Sequence, residues 1–248
     1  MEEAFVTLEQ RPDLADRVLR LSLEAWPEFL QHDAACRRYW RALYGTFAPF
    51  QLLLCAPDDA VIAVGHTIPL VWDGTLADLP SGIDGVLERG VGEADRRPPP
   101  TTLAALAAIV TPSQQRRGLS AAIIRAMRST AAARDLTTLI APVRPTLKHR
   151  YPLTPLDRYA RWTRPDGSPF DPWVRVHWRL GAEFLRVAPQ SMVVTGTVEE
   201  WEIWTGLRFP ESGPYVVPGA LQPVMIDRER DRGRYEDPNL WMRHATGM

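Results

Sequence analysis

The chain of 248 residues contains one lysine, Lys148; every other basic side chain is arginine. Schiff-base catalysis needs a reactive amine, so it has a single candidate here and is disfavoured. Cysteine is nearly as scarce. Cys36 and Cys55 cannot build a disulfide framework, and no C-x-x-C pair exists. The histidines show no H-x-x-x-H spacing, so no zinc or other metal centre is expected. There is no G-x-S-x-G elbow and no Walker A lysine. Excess charge is absent too: 29 Lys+Arg face 30 Asp+Glu, a formal net charge of -1. Nucleic-acid partners are therefore not expected, since such domains are usually strongly basic. No apolar run approaches the roughly 18–20 residues that span a bilayer, so no membrane partner is expected either. The start, Met1-Glu2-Glu3, is acidic where a signal peptide would be basic. These absences point to a reduced, soluble, cytoplasmic protein. What is present is ordinary: 45% hydrophobic and 24% charged residues, enough for a sizeable core.

Periodicity divides the chain. A short strand is expected over 5–8 and a helix over 12–26, with Leu14, Val18, Leu21 and Ala25 at helical spacing. Asp33 reads as the cap of a second helix carrying Cys36, Trp40, Leu43 and Phe47. Strands are expected over 51–56 and 61–70. Residues 73–100, rich in Gly, acid and Pro, read as a surface insertion with one helical turn near 83–89. Residues 101–111 are ambiguous by themselves, since their alanines would also suit a helix, and read as a strand from their place in the element order; a helix over 117–134 and a buried strand over 136–143 follow. Residues 144–170 read as a long ordered loop. Asp171-Pro172 opens a helix that stops at Gly181. Two strands are expected over 183–187 and 191–197, then a capping box at Thr197 opens a short helix. Beyond 206 the chain is rich in Pro, Gly and charge, with short strands expected at 224–226 and 240–242.

At the centre, between a strand and a helix, stands Gln115-Arg116-Arg117-Gly118-Leu119-Ser120. A helix N-terminus presents unpaired N–H groups and partial positive charge, where a diphosphate can sit. Gly118 permits close backbone approach, Ser120 adds little bulk, and Arg116 and Arg117 bring charge to a phosphate. The run resembles the pyrophosphate-binding motif of the Gcn5-related N-acetyltransferase (GNAT) superfamily, Q/R-x-x-G-x-G/A. Gln115 and Gly118 match it, and Ser120 replaces the last small residue. The element order over roughly 5–197 is similar as well.

The resemblance implies an α/β fold: a mixed, mostly antiparallel central sheet flanked by helices, with an insertion and a C-terminal extension. It places a GNAT-like domain at 1–205 and an extension packed on it at 206–248. Acyl-coenzyme A, acetyl-coenzyme A above all, is the implied co-substrate, held by Ile109, Val110 and residues 115–120. In the family two strands splay apart around pantetheine, which assigns 106–110 and 139–143 as the walls. The oxyanion would be held by the backbone N–H of Val110 or Ile109. A family tyrosine that protonates the leaving thiolate falls at His177, so His177 is the candidate acid, with a core histidine as the alternative. No general base is visible; His66 is a weak candidate. Arg144, His149 and Tyr151, in the basic loop after the second wall, are candidate substrate-binding residues, and that loop and the insertion 73–100 are together expected to form the acceptor side. The implied activity is acyl transfer to an amine of a small-molecule acceptor by direct attack in a ternary complex. A non-catalytic acyl-coenzyme A module, S-acyl transfer and decarboxylation are the alternatives, and a homo-oligomer is compatible with the sequence.

Overall fold

The computed structural model describes residues 4–94 and 98–246. The first half holds β1 (Ala4–Thr7), α1 (Ala15–Ala25), α2 (Ala34–Tyr39), β2 (Leu52–Cys55), β3 (Val61–Leu70) and α3 (Ile83–Gly92). Then come β4 (Thr102–Val110), α4 (Leu119–Ala132), β5 (Thr138–Val143), α5 (Leu156–Tyr159) and α6 (Pro172–Arg179). The chain closes with β6 (Glu183–Gly196), α7 (Val198–Thr205), β7 (Gly213–Tyr215), β8 (Val224–Asp227) and β9 (Arg232–Ala245). The strands form one sheet in the order β1-β2-β3-β4-β5-β9-β8-β7, with β6 also paired to β9. Only β4 and β5 run parallel; the other pairs are antiparallel.

Strand alternation gives each face its own core. Leu103 and Leu139 pack with Ile123, Ile124 and Met127 of α4. Their neighbours Ala104 and Ile140 turn the other way, into the cluster that holds Ile83, Val86 and Leu87 of α3. Each of these Leu, Ile, Val and Met side chains, removed from water, contributes about 1.5–3 kcal/mol.

Three expectations are corrected. Residues 83–92 form a full helix, α3, rather than one turn of a surface insertion, and its inner side is buried. Gly90 lies on that side because a Cβ there would stand 2.6 Å from Ile68 Cδ1. Residues 95–97 of the expected insertion lie outside the described residues. The two strands expected over 183–197 are one strand, β6, irregular between Ala188 and Met192. Most consequential, the short strand expected at 240–242 is the last part of the 14-residue β9, which pairs with β5 along one edge and with β6 along the other. Pro238 falls opposite the irregularity in β6, where its missing N–H leaves no rung unmade.

A buried polar network fixes β9. Asp237 accepts from Arg144 Nε at 3.0 and 3.1 Å, from Tyr235 OH at 2.6 Å and from Asn239 Nδ2 at 2.8 Å. Arg144 also donates to Gly219 O at 2.8 Å. Burial opposes the charge on Arg144, yet Asp237 outweighs it and the guanidinium pKa rises. Nearby, Lys148 is wholly buried and donates to Tyr151 O at 2.8 Å and to Leu221 O. Removing one partner of a buried ion pair costs about 3–5 kcal/mol. Asp237→Ala and Arg144→Ala should each lower stability by that amount in chemical denaturation, and the double variant by much less than the sum. Additive losses would show that the pair does not act as one unit.

Candidate active site

β4 and β5 pair at three positions only, Thr102–Thr138, Leu103–Leu139 and Ala104–Ile140. Beyond them β4 stays on β3, out to Val110 opposite Ala63, while β5 stays on β9 out to Val143. The strands therefore part, and one edge of residues 105–110 has no partner strand among the described residues. Ala105 and Trp173, from α6, each pack against the cluster under α4 and against the cluster of β5 and β9, so they stand at the root of the gap. A bulge interrupts β4 there: Ala105 faces Thr67 and Ala107 faces His66, leaving Leu106 as the extra residue.

At the end of β4 a short turn, Pro112–Gln114, leads into the glycine motif. Gln115, Arg116 and Arg117 are exposed, and Arg117 bonds Gln114. Arg116 and Gly118 both adopt left-handed φ, 66° and 77°. Gly118 is the N-cap of α4 and supplies no side chain to cover the first amides. A Cβ at Gly118 would meet nothing within 4 Å, so glycine is favoured there by conformation, and the space in front is open. Leu119 is buried under the helix and Ser120 is half-buried. The setting fits an anion at the helix start. Ile109 is buried and Val110 half-buried at the far end of β4.

On the opposite face lies a chamber of about 220 Å³, with walls that include Ser22, Trp26, Trp40, Ile83, Leu106 and Met192. Arg37, Arg41 and Cys36 also line it. Cys36 lies within 4.8 Å of the carboxylates of Asp33 and Asp84. Both carboxylates accept from Val193 N, at 3.2 and 3.1 Å. Burial, then the neighbouring Asp33, pushes the Asp84 carboxyl up to about 8. Its Oδ1 is buried without a hydrogen-bond partner among the described residues. Burial and the same carboxylates raise the Cys36 thiol, which stays protonated at neutral pH.

The loop expected to bind substrate lies away from this chamber. No residue of 144–170 lines the chamber; Ile83, from the expected insertion, does. Arg144 is committed to Asp237 and Gly219, so its guanidinium is not offered to a ligand. His149 is exposed and bonds Thr146 O at 2.9 Å. Tyr151 sits edge-on to Trp162 at 4.9 Å, in an aromatic group with Tyr159 and Phe170. His177 is buried, its Nδ1 2.9 Å from His244 Nε2, with Nε2 unpartnered among the described residues. Burial, with His244 adding to it, takes the His177 pKa down to about 3. It is thus neutral at physiological pH, which does not suit a proton donor. The chamber residues Ser22, Trp26, Trp40 and Arg37 escaped the sequence reading. One signal was available: Ser22 continues the inward stripe of Leu14 and Val18, a hydroxyl where an apolar side chain is usual.

No protein-family model matches the chain. It is 30% identical over 269 aligned residues to a curated fungal protein, arginine N-acetyltransferase avaD of Aspergillus versicolor, covering 96% of this chain and 92% of that one. Among solved structures it resembles the loading GNATL domain of CurA from Lyngbya majuscula, with a TM-score of 0.64 at 15% identity over 99% of this chain and 98% of that one. It also resembles the GNAT-like decarboxylase GphF in complex with isobutyryl-CoA, with a TM-score of 0.58 at 15% identity over the full length of both. At that identity the two structures speak for the fold. No helix among the described residues is long and apolar enough to cross a membrane. With the splayed parallel strands, the glycine turn at the head of α4 and a full-length N-acetyltransferase relative, the chain belongs to the Gcn5-related N-acetyltransferase superfamily and is an acyltransferase that uses acyl-coenzyme A.

Proposed function

We propose that this protein acetylates an amine of arginine or a close analogue, bound in the chamber above the β4 bulge. The chamber itself carries the reading. It reaches from Leu106, at the bulge, to Cys36 beside the Asp33–Asp84 pair. At about 220 Å³ it falls below the roughly 300–1,000 Å³ of drug-sized ligand sites, which suits a single amino acid rather than a peptide. Trp26 and Trp40 give flat walls for an alkyl stem or a cation. Arg37 and Arg41 suit an acceptor carboxylate. A cation placed beside Asp84 draws its raised pKa back down, because opposite charge favours the ionised form. The named acceptor of the fungal relative has these three parts: a carboxylate, an alkyl stem and a cation.

On the other side of β4, the amides at the start of α4 would hold the diphosphate, with Gln115, Arg116, Arg117, Leu119 and Ser120 around Gly118. The open edge of 105–110, with Ile109 and Val110 at its end, would pair with pantetheine. Acetyl-coenzyme A supplies the activated thioester when bound. The neutral amine attacks the thioester carbonyl; a C–N bond forms, the C–S bond breaks, and coenzyme A leaves as a thiolate, the proton lost by the nitrogen ending on the thiol by way of solvent. We place the oxyanion at the bulge rather than at Ile109 or Val110, since the extra residue, Leu106, is out of step with the ladder.

Two variants separate the two sides. Gly118→Asp sets a carboxylate against the diphosphate and should raise the acetyl-coenzyme A KM at least tenfold, leaving that for arginine unchanged. Asp84→Asn should do the reverse. Steady-state kinetics with product identification checks both, and the same KM moving in both variants would contradict the division. For His177 we infer a positioning role, holding α6 on β9 through His244. His177→Ala should lower the melting temperature while kcat per folded molecule stays within about threefold. A loss of 10²-fold or more, typical of a removed general acid, with the melting temperature unchanged would restore the acid role.

A further inference from the structure

A buried hydrogen-bond chain runs from the chamber wall into the sheet, and backbone groups fix its protons. Gln51 is fully buried, and its Nε2 donates to Phe47 O and Thr67 O, both at 2.8 Å. Those carbonyls only accept, so the amide cannot be turned around without setting oxygen against oxygen. Gln51 Oε1 therefore points away from them, accepts from Thr67 N at 3.3 Å, and lies 3.0 Å from His66 Nδ1. An amide oxygen has no proton to give, so Nδ1 carries the ring hydrogen. Burial takes His66 down to about 3, so at neutral pH the ring has one proton and Nε2 a lone pair. Nε2 lies 2.9 Å from Ser22 Oγ. The Ser22 hydroxyl has one hydrogen, and two acceptors compete for it, His66 Nε2 and Val18 O at 2.8 Å. Val18 O has the amide N–H of the α1 ladder to satisfy it, whereas His66 Nε2 has only Ser22 among the described residues. The hydroxyl hydrogen therefore turns to His66, which leaves the oxygen two lone pairs: the neighbouring Tyr44 hydroxyl takes one, and the other is left for the chamber it lines.

We propose that Ser22 receives an N–H of the acceptor amine on that oxygen and so turns the nitrogen lone pair toward the thioester, with His66 and Gln51 as positioning residues behind it. This rests on the reading of the chamber as the acceptor site. The placement is consistent along the sheet: His66 pairs with Ala107, next to the extra residue Leu106 of the bulge, and Leu106 lines the chamber together with Ser22. Trp40, another wall, sits edge-on to the His66 ring at 5.2 Å and closes it off. Because burial keeps a second proton off His66, the chain orients the amine rather than storing its proton. No bond to Ser22 is made or broken.

The test uses the full-length protein with acetyl-coenzyme A and L-arginine, and nitrogen-15 NMR of the histidine rings. Ser22→Ala should fold, since alanine is the better helix former and the change removes one oxygen. Its kcat/KM for arginine should fall about 10–100-fold, the range for one lost hydrogen bond to a charged or developing group, with the acetyl-coenzyme A KM unchanged. Ser22→Thr, which keeps the hydroxyl, should recover most of the rate. The spectra should show His66 protonated on Nδ1 and bare on Nε2. Unchanged kcat/KM in Ser22→Ala, or an Nε2–H ring, would overturn the proposal. If the wild-type protein fails to acetylate arginine, the acceptor reading fails instead. The ring tautomer, read without any acceptor, then still decides whether Ser22 is held as a hydrogen-bond acceptor.

Discussion

Two parallel strands that pair for three residues and then separate set the terms for the whole site. β4 leaves β5 after Ala104 while each stays held along its other edge: β3 holds β4 to Val110 and β9 holds β5 to Val143. An unpaired strand edge normally invites aggregation or costs buried amides their partners. Here it faces the gap rooted at Ala105 and Trp173. The glycine turn and α4 follow at once from the end of β4, so the amides at the head of α4 are fixed relative to the gap.

That separation holds only if β5 is anchored from behind, and the anchor comes from the far end of the chain. β9 lies along β5 and β6 together, and the Asp237 network ties it to Arg144, the residue that follows β5. The aromatic group at Tyr151, Tyr159, Trp162 and Phe170, with Asp171 accepting from Tyr159 OH at 2.9 Å, orders the intervening loop in the same way. Arg144 and Lys148, the two basic side chains of that loop with bonds into the core, thus serve the scaffold. Charge density in a sequence does not distinguish a guanidinium that awaits a ligand from one already engaged by a distant aspartate.

Local signals were legible and long-range ones were not. Asp171 caps α6 through Trp173 N and Val174 N, and Thr197 forms its capping box with Glu200. Both depend on residues within one turn of each other. The glycine motif could be read because strand, turn and helix are consecutive. β9 was hidden because Asp237-Pro238-Asn239 looks like a loop until β6 is seen to be irregular opposite Pro238. α3 was hidden by Gly85, Gly90 and Gly92, although Gly90 is a packing position against Ile68. The acceptor chamber gathers Ser22, Trp40, Ile83, Leu106 and Met192 from five parts of the chain, and no spacing rule connects them. The histidine expected beside the sulfur, His177, proved to be buried against His244, whereas His66, the weak candidate, stands at the level of the β4 bulge.

The proposed cofactor groove on one side of β4 and the proposed acceptor chamber on the other would hold both substrates at once when the acyl group moves. The competing route is an acyl-serine intermediate on Ser22, which burial of His66 opposes by keeping a second proton off the ring. Initial velocities measured over a grid of acetyl-coenzyme A and arginine concentrations separate the two most directly. Intersecting double-reciprocal lines, with no acetyl group retained on the protein, are the result expected of direct transfer between the two sides. Parallel lines with an acetylated serine found after acetyl-coenzyme A alone would contradict it.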